Sequence, residues 1–204
     1  ADWERIAGRL AGYQPFVLSE EVYEALVFDG RRHAGVLGNA RLRDRAFAVF
    51  SFGKTYNATG WKVGYCVAAP PPTTEVRKVH QFLTFPGSTP VQHAIADFMR
   101  EAPEFADSQG PFYQARRDRL AGLLEDSRFM LRPVHGTYFQ LADYSAVSDL
   151  PDAAFCELLT RRHGVAAIPL SPFCDQPPAA RLVRFCFAKR DATLEAAAER
   201  LRVV

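Results

Sequence analysis

Lys54 is the residue of this chain whose type and position most clearly suggest a chemical role. It lies in the segment SFGKTYNATGWKVGY, Ser51 to Tyr65, directly after the apolar run AFAVFS. A phosphate-binding P-loop would need a second glycine five positions before Gly53, but that position is Ala48 and belongs to the apolar run. The segment therefore does not predict a nucleotide-binding loop. A lysine just past the end of a buried strand lies where open α/β sheets place reactive groups, and its unprotonated amine would be a nucleophile.

Other polar residues follow or interrupt apolar runs in a similar way. Glu20 and Tyr23 follow the run FVLS, and Lys62 opens the run KVGYCVA. Two arginines, Arg181 and Arg184, lie three positions apart in RLVRFCFA. Because strand side chains alternate, we expect the two to point to opposite faces. One of them is then available to bind a carboxylate, which the planar guanidinium suits.

Short apolar runs predict the strands that position these side chains. None of the three runs in the first half alternates polar with apolar residues, a pattern typical of strands buried on both faces of a helix-covered sheet. Two covering helices are predicted after them, one over 73–85 and one over 89–101 that has Thr89 as its N-cap. A proline-rich turn, AAPPPTT, separates the last strand from these helices. The runs are 16–19, 46–51 and 62–68.

The pattern changes after a further helical segment at 112–125. FMLRP and GTYFQLADY predict paired strands around a turn at His135-Gly136, and a helix over 152–163 ends at Gly164. Strands VAAIP and RLVRFCFA and a final helix from Asp191 follow. We therefore predict two domains, residues 1–104 and an α+β domain of residues 105–204.

Composition narrows the class of partner. The 204 residues carry a formal charge of +2, without basic runs that alternate with aromatic residues and without an apolar run long enough to span a membrane. We expect a cytoplasmic protein that binds a small molecule, and neither nucleic acid nor membrane. The four cysteines show no C-x-x-C spacing and three lie in apolar runs, so we predict buried free thiols and no metal site. No partner can be identified for any of the five histidines.

The order of the motifs resembles a known family. SFGKTYNATGWKVGY, preceded by LSEEVYE and followed by GTYF and RFCFA, resembles the carboxyl half of class I/II aminotransferases of pyridoxal-phosphate fold type I, with methionine and kynurenine aminotransferases as the nearest relatives. The resemblance implies an α/β fold: part of the large domain, with a mostly parallel sheet and covering helices, followed by a small α+β domain. It also implies a ping-pong exchange between an amino acid, of methionine or aromatic type, and a 2-oxo acid, in an enzyme that is a homodimer when complete.

The resemblance also implies the roles of five cofactor-binding residues. Lys54 corresponds to the lysine that forms a Schiff base with pyridoxal phosphate and later moves the substrate's α-proton. Ser51 and Lys62 correspond to the phosphate ligands, and Tyr23 to the tyrosine that hydrogen-bonds the phenolic oxygen. Glu20 stands where the family nearly always has an aspartate that pairs with the pyridine nitrogen. Its extra methylene moves the carboxylate by up to about 1.5 Å, so we expect a weaker contact.

Substrate binding is implied for two residues of the second half. Arg184 corresponds to the arginine that binds the substrate's α-carboxylate, and Tyr138 of GTYF lies where the family forms the entrance for the substrate. No counterpart of the family's amino half is present, so we expect the chain to be inactive by itself. Two alternatives share these residues: a β-lyase that acts on sulfur amino acids, and a non-catalytic sensor domain of a transcription regulator.

Overall fold

The apolar runs of the first half form one three-stranded sheet in the computed structural model, which describes residues 2–176 and 178–204. The central strand β2 (Ala46–Ser51) lies between β1 (Val17–Glu20) and β3 (Gly64–Ala68). β1 runs parallel to β2 and β3 runs antiparallel to it. These strands are therefore mixed in direction, whereas we predict a mostly parallel sheet. An apolar run predicts a strand but contains no information on its direction.

Burial differs between the central strand and its two neighbours. Ala46 and Ala48 of β2 are fully buried, as predicted, but Leu18 of β1 is 74% exposed and Val67 of β3 is 41% exposed. The prediction that all three strands are buried on both faces is therefore wrong for β1 and β3. Each of these two strands pairs on one side only within this sheet.

Helices of the first half begin at positions that partly differ from the predictions. α3 (Pro70–Leu83) starts with the prolines themselves, so they form its first turn instead of a separate turn. This position suits proline, because the first N–H groups of a helix have no intrahelical acceptor. α4 (Thr89–Glu101) is preceded by Ser88 as its N-cap, not by Thr89. The remaining helices are α1 (Asp2–Leu10), the four-residue turn α2 (Phe52–Thr55) and α5 (Phe105–Leu123).

Two compact units result, the first running to Gln109 and the second starting at Gly110. The two domains that we predict, 1–104 and 105–204, stay a prediction. In the first unit, a core cluster joins α1 to β2 and to the loop before it; its buried members are Ala7, Val36, Leu42, Ala46 and Ala48. The helices α3 and α4 leave much of their apolar surface uncovered, with Leu83 79% exposed and Met99 42% exposed.

The second unit contains an antiparallel sheet of four strands. Its order is β4-β5-β7-β6, and the predicted pairing of FMLRP with GTYFQLADY is confirmed by β4 and β5. The strands are β4 (Met130–Leu131), β5 (Phe139–Asp143), β6 (Ile168–Pro169) and β7 (Leu182–Cys186).

Two helices complete the second unit. α6 (Asp152–Leu158) continues as one π-helical turn, Leu159–His163, and Gly164 ends it with φ of 63°. A left-handed residue at this position favours glycine, which confirms the predicted helix stop. α7 (Asp191–Leu201) starts where the sequence predicts. Phe155 of α6 stacks on Tyr144 with ring centroids 4.2 Å apart, inside the core.

The cysteines correct another prediction. All four thiols are free, but Cys156 is buried while Cys66 and Cys174 are exposed. Cys66 lies in β3, whose side chains are largely uncovered in this chain. Across the described residues, no helix combines the length and the apolar character that crossing a membrane requires.

Candidate functional site

The predicted cofactor residues of the first unit lie at one edge of its sheet, namely the side at which the strands β1 and β2 end. Because β1 and β2 are parallel, Glu20 at the end of β1 and Ser51 at the end of β2 lie at the same edge. Ser51 also pairs with Gly64, the first residue of β3. Lys62 is two residues before Gly64 and therefore precedes β3 on this same side. Lys54 follows β2 directly in the turn α2. Four residues from three separate sequence segments therefore lie at this edge.

The turn α2 is held at its start by hydroxyl groups. Ser51 has an extended backbone and its Oγ accepts a hydrogen bond from the Gly53 N–H at 3.2 Å. The Thr59 hydroxyl donates to the Gly53 carbonyl at 2.8 Å. A Cβ on Gly53 would lie 2.8 Å from the Thr59 Cα, so only glycine fits here without a backbone shift. The glycine that suggests a P-loop in the sequence is therefore required for packing.

Lys54 is half-buried beside Tyr23. Its Nζ lies over the Tyr23 ring, 5.9 Å from the ring centroid. An aromatic face attracts a cation at this distance, which keeps the amine close to the tyrosine. The structure thus brings together two of the residues to which the resemblance assigns cofactor binding.

The two neighbouring glutamates differ sharply in their environment. Glu20 is exposed at the end of β1, whereas Glu21 is buried. Glu21 Oε1 accepts from the Val36 N–H at 2.8 Å, and its Oε2 lies 2.7 Å from His33 Nε2. Burial by itself would raise the pKa of Glu21, but these hydrogen bonds outweigh it and lower that pKa. Glu21 is therefore occupied within the protein, and the prediction that no histidine has an identifiable partner is wrong for His33.

Lys62 is exposed and has a left-handed backbone, with φ of 55° and ψ of 48°. Left-handed backbone is uncommon for residues other than glycine and is frequent at functional sites. Lys62 lines a cavity of about 840 Å³ together with His80 and His93. The position of Lys62 therefore suits an anionic ligand such as a phosphate.

Arg184 in the second unit is held by two aromatic rings. Its guanidinium carbon lies 4.7 Å from the ring centroids of both Phe139 and Phe173. Its Nε is buried and has no hydrogen-bond partner among the described residues. A buried polar atom without a partner is rare and calls for an explanation, and a ligand that binds there is one.

Arg181 has a different environment from Arg184. Its Nη1 lies 2.5 Å from a carboxylate oxygen of Asp149, in an ion pair at the surface. Arg181 is therefore engaged within the protein, as a structural residue would be. Tyr138, the other predicted substrate residue, packs against Phe139 with ring centroids 4.7 Å apart and against Tyr113 at 6.1 Å.

Sequence reasoning missed one pair of residues in this region, Glu24 and Thr55. The Thr55 hydroxyl donates a hydrogen bond to Glu24 Oε1 at 3.0 Å, and Thr55 is only 4% exposed. The only signal in the sequence is position, since Glu24 follows Tyr23 and Thr55 follows Lys54. Polar residues beside functional residues are too common for that to single them out.

The side chains at this edge suit pyridoxal phosphate. They offer an amine on Lys54, a cation on Lys62, an exposed carboxylate on Glu20 and hydroxyl groups on Ser51 and Tyr23. The amine suits an aldehyde, the cation suits a phosphate, and the carboxylate suits a basic ring nitrogen.

One family model and several known proteins match nearly the whole chain. The family model for aminotransferase class I and II matches residues 1–201. Methionine aminotransferase of Escherichia coli (strain K12) is 54% identical over 99% of this chain and 52% of its own length. Kynurenine–oxoglutarate transaminase 3 of Rattus norvegicus is 35% identical over 97% of this chain and 48% of its own length.

Solved structures of aminotransferases also match nearly the whole chain. A structure from Escherichia coli with a methionine aminotransferase function matches 100% of this chain and 54% of its own, with a TM-score of 0.95 and 54% identity. N-succinyldiaminopimelate aminotransferase from Mycobacterium tuberculosis matches 98% of this chain and 53% of its own, with a TM-score of 0.90 and 37% identity. The chain thus spans about half the length of the relatives that it matches.

Proposed function

Because the chain belongs to the class I and II aminotransferases, we propose that it supplies the lysine-bearing part of a pyridoxal-phosphate enzyme. This enzyme moves an amino group between an amino acid and a 2-oxo acid in a ping-pong exchange. The observation that carries the proposal is the arrangement of Glu20, Ser51, Lys54 and Lys62 at one edge of the sheet. Methionine or an aromatic amino acid is the proposed donor, supported by 54% identity to a methionine aminotransferase.

Each residue at the edge has a proposed task. Lys54 would hold the cofactor through its Nζ and, when that amine is free, would accept the substrate's α-proton there. Ser51 and Lys62 bind the phosphate, and Tyr23 donates a hydrogen bond to the phenolic oxygen. Glu20 keeps the ring nitrogen protonated. The bound cofactor supplies an electron sink for the negative charge that develops at the substrate's α-carbon.

Arg184 is proposed to bind the substrate's α-carboxylate. Its unpartnered Nε and the two rings that fix its guanidinium plane support this role. A planar guanidinium can donate two parallel hydrogen bonds to a carboxylate. Tyr138 is proposed to contact the substrate, and the full-length protein to act as a homodimer.

Trapping the lysine tests the proposal directly. We expect that borohydride reduction of the full-length protein with pyridoxal phosphate, followed by peptide mapping, leaves a pyridoxyl group on Lys54. The exposed Lys78, which pairs with Glu75, is the internal control and should remain unmodified. A pyridoxyl group on another lysine, or on none, would contradict the proposal.

Product analysis separates transamination from the lyase alternative. With methionine and a 2-oxo acid, an aminotransferase forms the keto acid of methionine and a new amino acid, whereas a β-lyase given a cysteine S-conjugate breaks its Cβ–S bond and releases a thiol, ammonia and pyruvate. Release of thiol and ammonia without amino-group exchange would overturn the proposed reaction while leaving Lys54 as the cofactor lysine.

A further inference from the structure

The helical turn that carries Lys54 is too short to hold its own orientation. α2 contains four residues. It is closed at its end by a hydrogen bond of 2.8 Å that the Tyr56 N–H donates to the Phe52 carbonyl. A first helical turn is unfavourable by itself because it orders several residues for one hydrogen bond. The direction in which Lys54 points therefore depends on contacts between α2 and its surroundings.

Those contacts differ between the two ends of the turn. At the start, Ser51 and Thr59 hold Gly53. At the end, Thr55 is buried and donates to Glu24 Oε1 at 3.0 Å. This second contact joins the residue after Lys54 to the residue after Tyr23.

Glu24 is itself firmly placed. Its backbone N–H donates to the Glu21 carbonyl at 3.2 Å, and two residues later the fully buried Leu26 donates to the Tyr23 carbonyl at 2.9 Å. These turns fix the segment that carries Tyr23. The segment can therefore serve as a rigid support for α2.

The second carboxyl oxygen of Glu24 lies away from solvent. Oε2 is buried and has no hydrogen-bond partner among the described residues. Burial raises the pKa of Glu24. The contact with Thr55 needs an acceptor oxygen on this side chain and does not need a charge on it.

From this geometry, and resting on the proposed function, we propose that Glu24 is a positioning residue for Lys54 that acts through the Thr55 hydroxyl. It holds the end of α2 against the segment of Tyr23, so that the Lys54 amine stays over the Tyr23 ring. The role requires a hydrogen-bond acceptor at this site and does not require a negative charge.

Four variants of the full-length protein separate this role from simple packing. Glu24→Gln keeps an acceptor for Thr55 without a charge, whereas Glu24→Met keeps the volume and removes the acceptor. Thr55→Ser keeps the hydroxyl and Thr55→Val removes it. We expect Glu24→Met and Thr55→Val each to slow the half-reaction with methionine about tenfold, the loss of about one buried hydrogen bond. Glu24→Gln and Thr55→Ser should stay within about twofold of the unaltered protein.

A second readout does not depend on activity. In the cofactor-free protein, labelling of Lys54 by an amine-reactive reagent should become several-fold faster in Glu24→Met and Thr55→Val, because the turn is no longer held. Labelling of Lys78 provides the internal reference, and Glu101→Met is the matched control at an exposed glutamate of α4. The double variant Glu24→Met/Thr55→Val should be no worse than either single variant, since both remove the same bond.

The outcomes distinguish this proposal from the one on which it rests. If the unaltered protein carries the pyridoxyl group on Lys54 but Glu24→Met changes neither rate nor labelling, the positioning role is overturned and the proposed function stands. Equal losses in Glu24→Gln and Glu24→Met would also overturn it, because they would show that the charge matters. No pyridoxyl group on Lys54 in the unaltered protein would overturn both.

Discussion

Glu20 is the proposed site residue at which this chain departs from the aspartate that the family resemblance implies. Its side chain is exposed at the end of β1, while the adjacent Glu21 is held by Val36 and His33. Glu20 is therefore the carboxylate that we propose to pair with a ring nitrogen at this edge. The consequence of its extra methylene can be measured.

We predict that Glu20→Asp in the full-length protein speeds the half-reaction with an amino acid. A shorter side chain restores one charge-assisted hydrogen bond worth about 1.5 to 3 kcal/mol, which corresponds to about tenfold or more in rate. Stopped-flow absorbance of the cofactor after mixing with methionine measures this rate. Glu75→Asp on the surface of α3 is the control, and an unchanged or slower rate in Glu20→Asp would show that Glu20 is already well placed.

Arg184 leads to a second prediction at the same scale. Arg184→Ala should lower kcat/KM for the amino acid about a hundredfold, since a bidentate charged contact is worth about 3 kcal/mol. Binding of pyridoxal phosphate, followed by its absorbance, should be unchanged. Arg181→Ala is the matched control, because Arg181 pairs with Asp149 at the surface. A parallel loss of cofactor in Arg184→Ala would instead indicate a structural role.

At the scale of elements, the start of α6 is tied to the loop 170–173. Asp152 accepts four hydrogen bonds, from the N–H groups of Ala153, Leu170 and Ser171 and from the Ser171 hydroxyl, at 2.6 to 2.8 Å. The loop carries Phe173, which stacks on Arg184. One carboxylate therefore fixes both the first turn of a helix and the loop that packs on this arginine.

Hydrogen bonding at Asp152 predicts a pH-dependent contribution to stability. Burial by itself would raise the pKa of Asp152, but the bonds from Ser171, Ala153 and Leu170 outweigh it and hold that pKa below its usual 3.8. A depressed pKa in the folded state means that the carboxylate stabilises the fold above pH 3.8. This contribution is lost as the pH falls through the lower folded pKa.

We expect Asp152→Asn to lower the free energy of unfolding by about 1.5 to 3 kcal/mol at pH 7. The amide nitrogen of asparagine cannot accept the hydrogen bonds that the second carboxylate oxygen accepts. Urea unfolding of the full-length protein should show this loss at pH 7 and a smaller one below pH 3.8. Asp126→Asn, at an exposed aspartate, is the control, and a loss independent of pH would contradict the role of the charge.

On the scale of the whole molecule, the first unit leaves much apolar surface uncovered. Phe82 and Phe85 at the end of α3 are 86% and 74% exposed, and Leu18 on the edge strand β1 is 74% exposed. Exposed apolar surface and an unpaired strand edge are both typical of surfaces that another part of a protein covers. The chain spans about half the length of its relatives, so tests of activity belong in the full-length protein.

The amino-acid sequence by itself indicated most of the elements, the family and the candidate residues, although it did not predict α1. Runs such as AFAVFS and the stop at Gly164 are local signals, because strand length, apolar pattern and a left-handed glycine depend on neighbours along the chain. The motif around Lys54 is local in the same sense. These features were predictable without a structure.

Only the tertiary structure decided strand direction, burial and pairing. It placed β3 antiparallel to β2, exposed Val67, and joined Glu21 to His33 and Glu24 to Thr55 across 12 and 31 positions of the chain. Each of these depends on residues that are distant in sequence, and an apolar or polar residue type does not specify which distant residue it will meet. The same reason separates Arg184 from Arg181, since only packing shows that one is buried at Nε without a partner while the other pairs with Asp149.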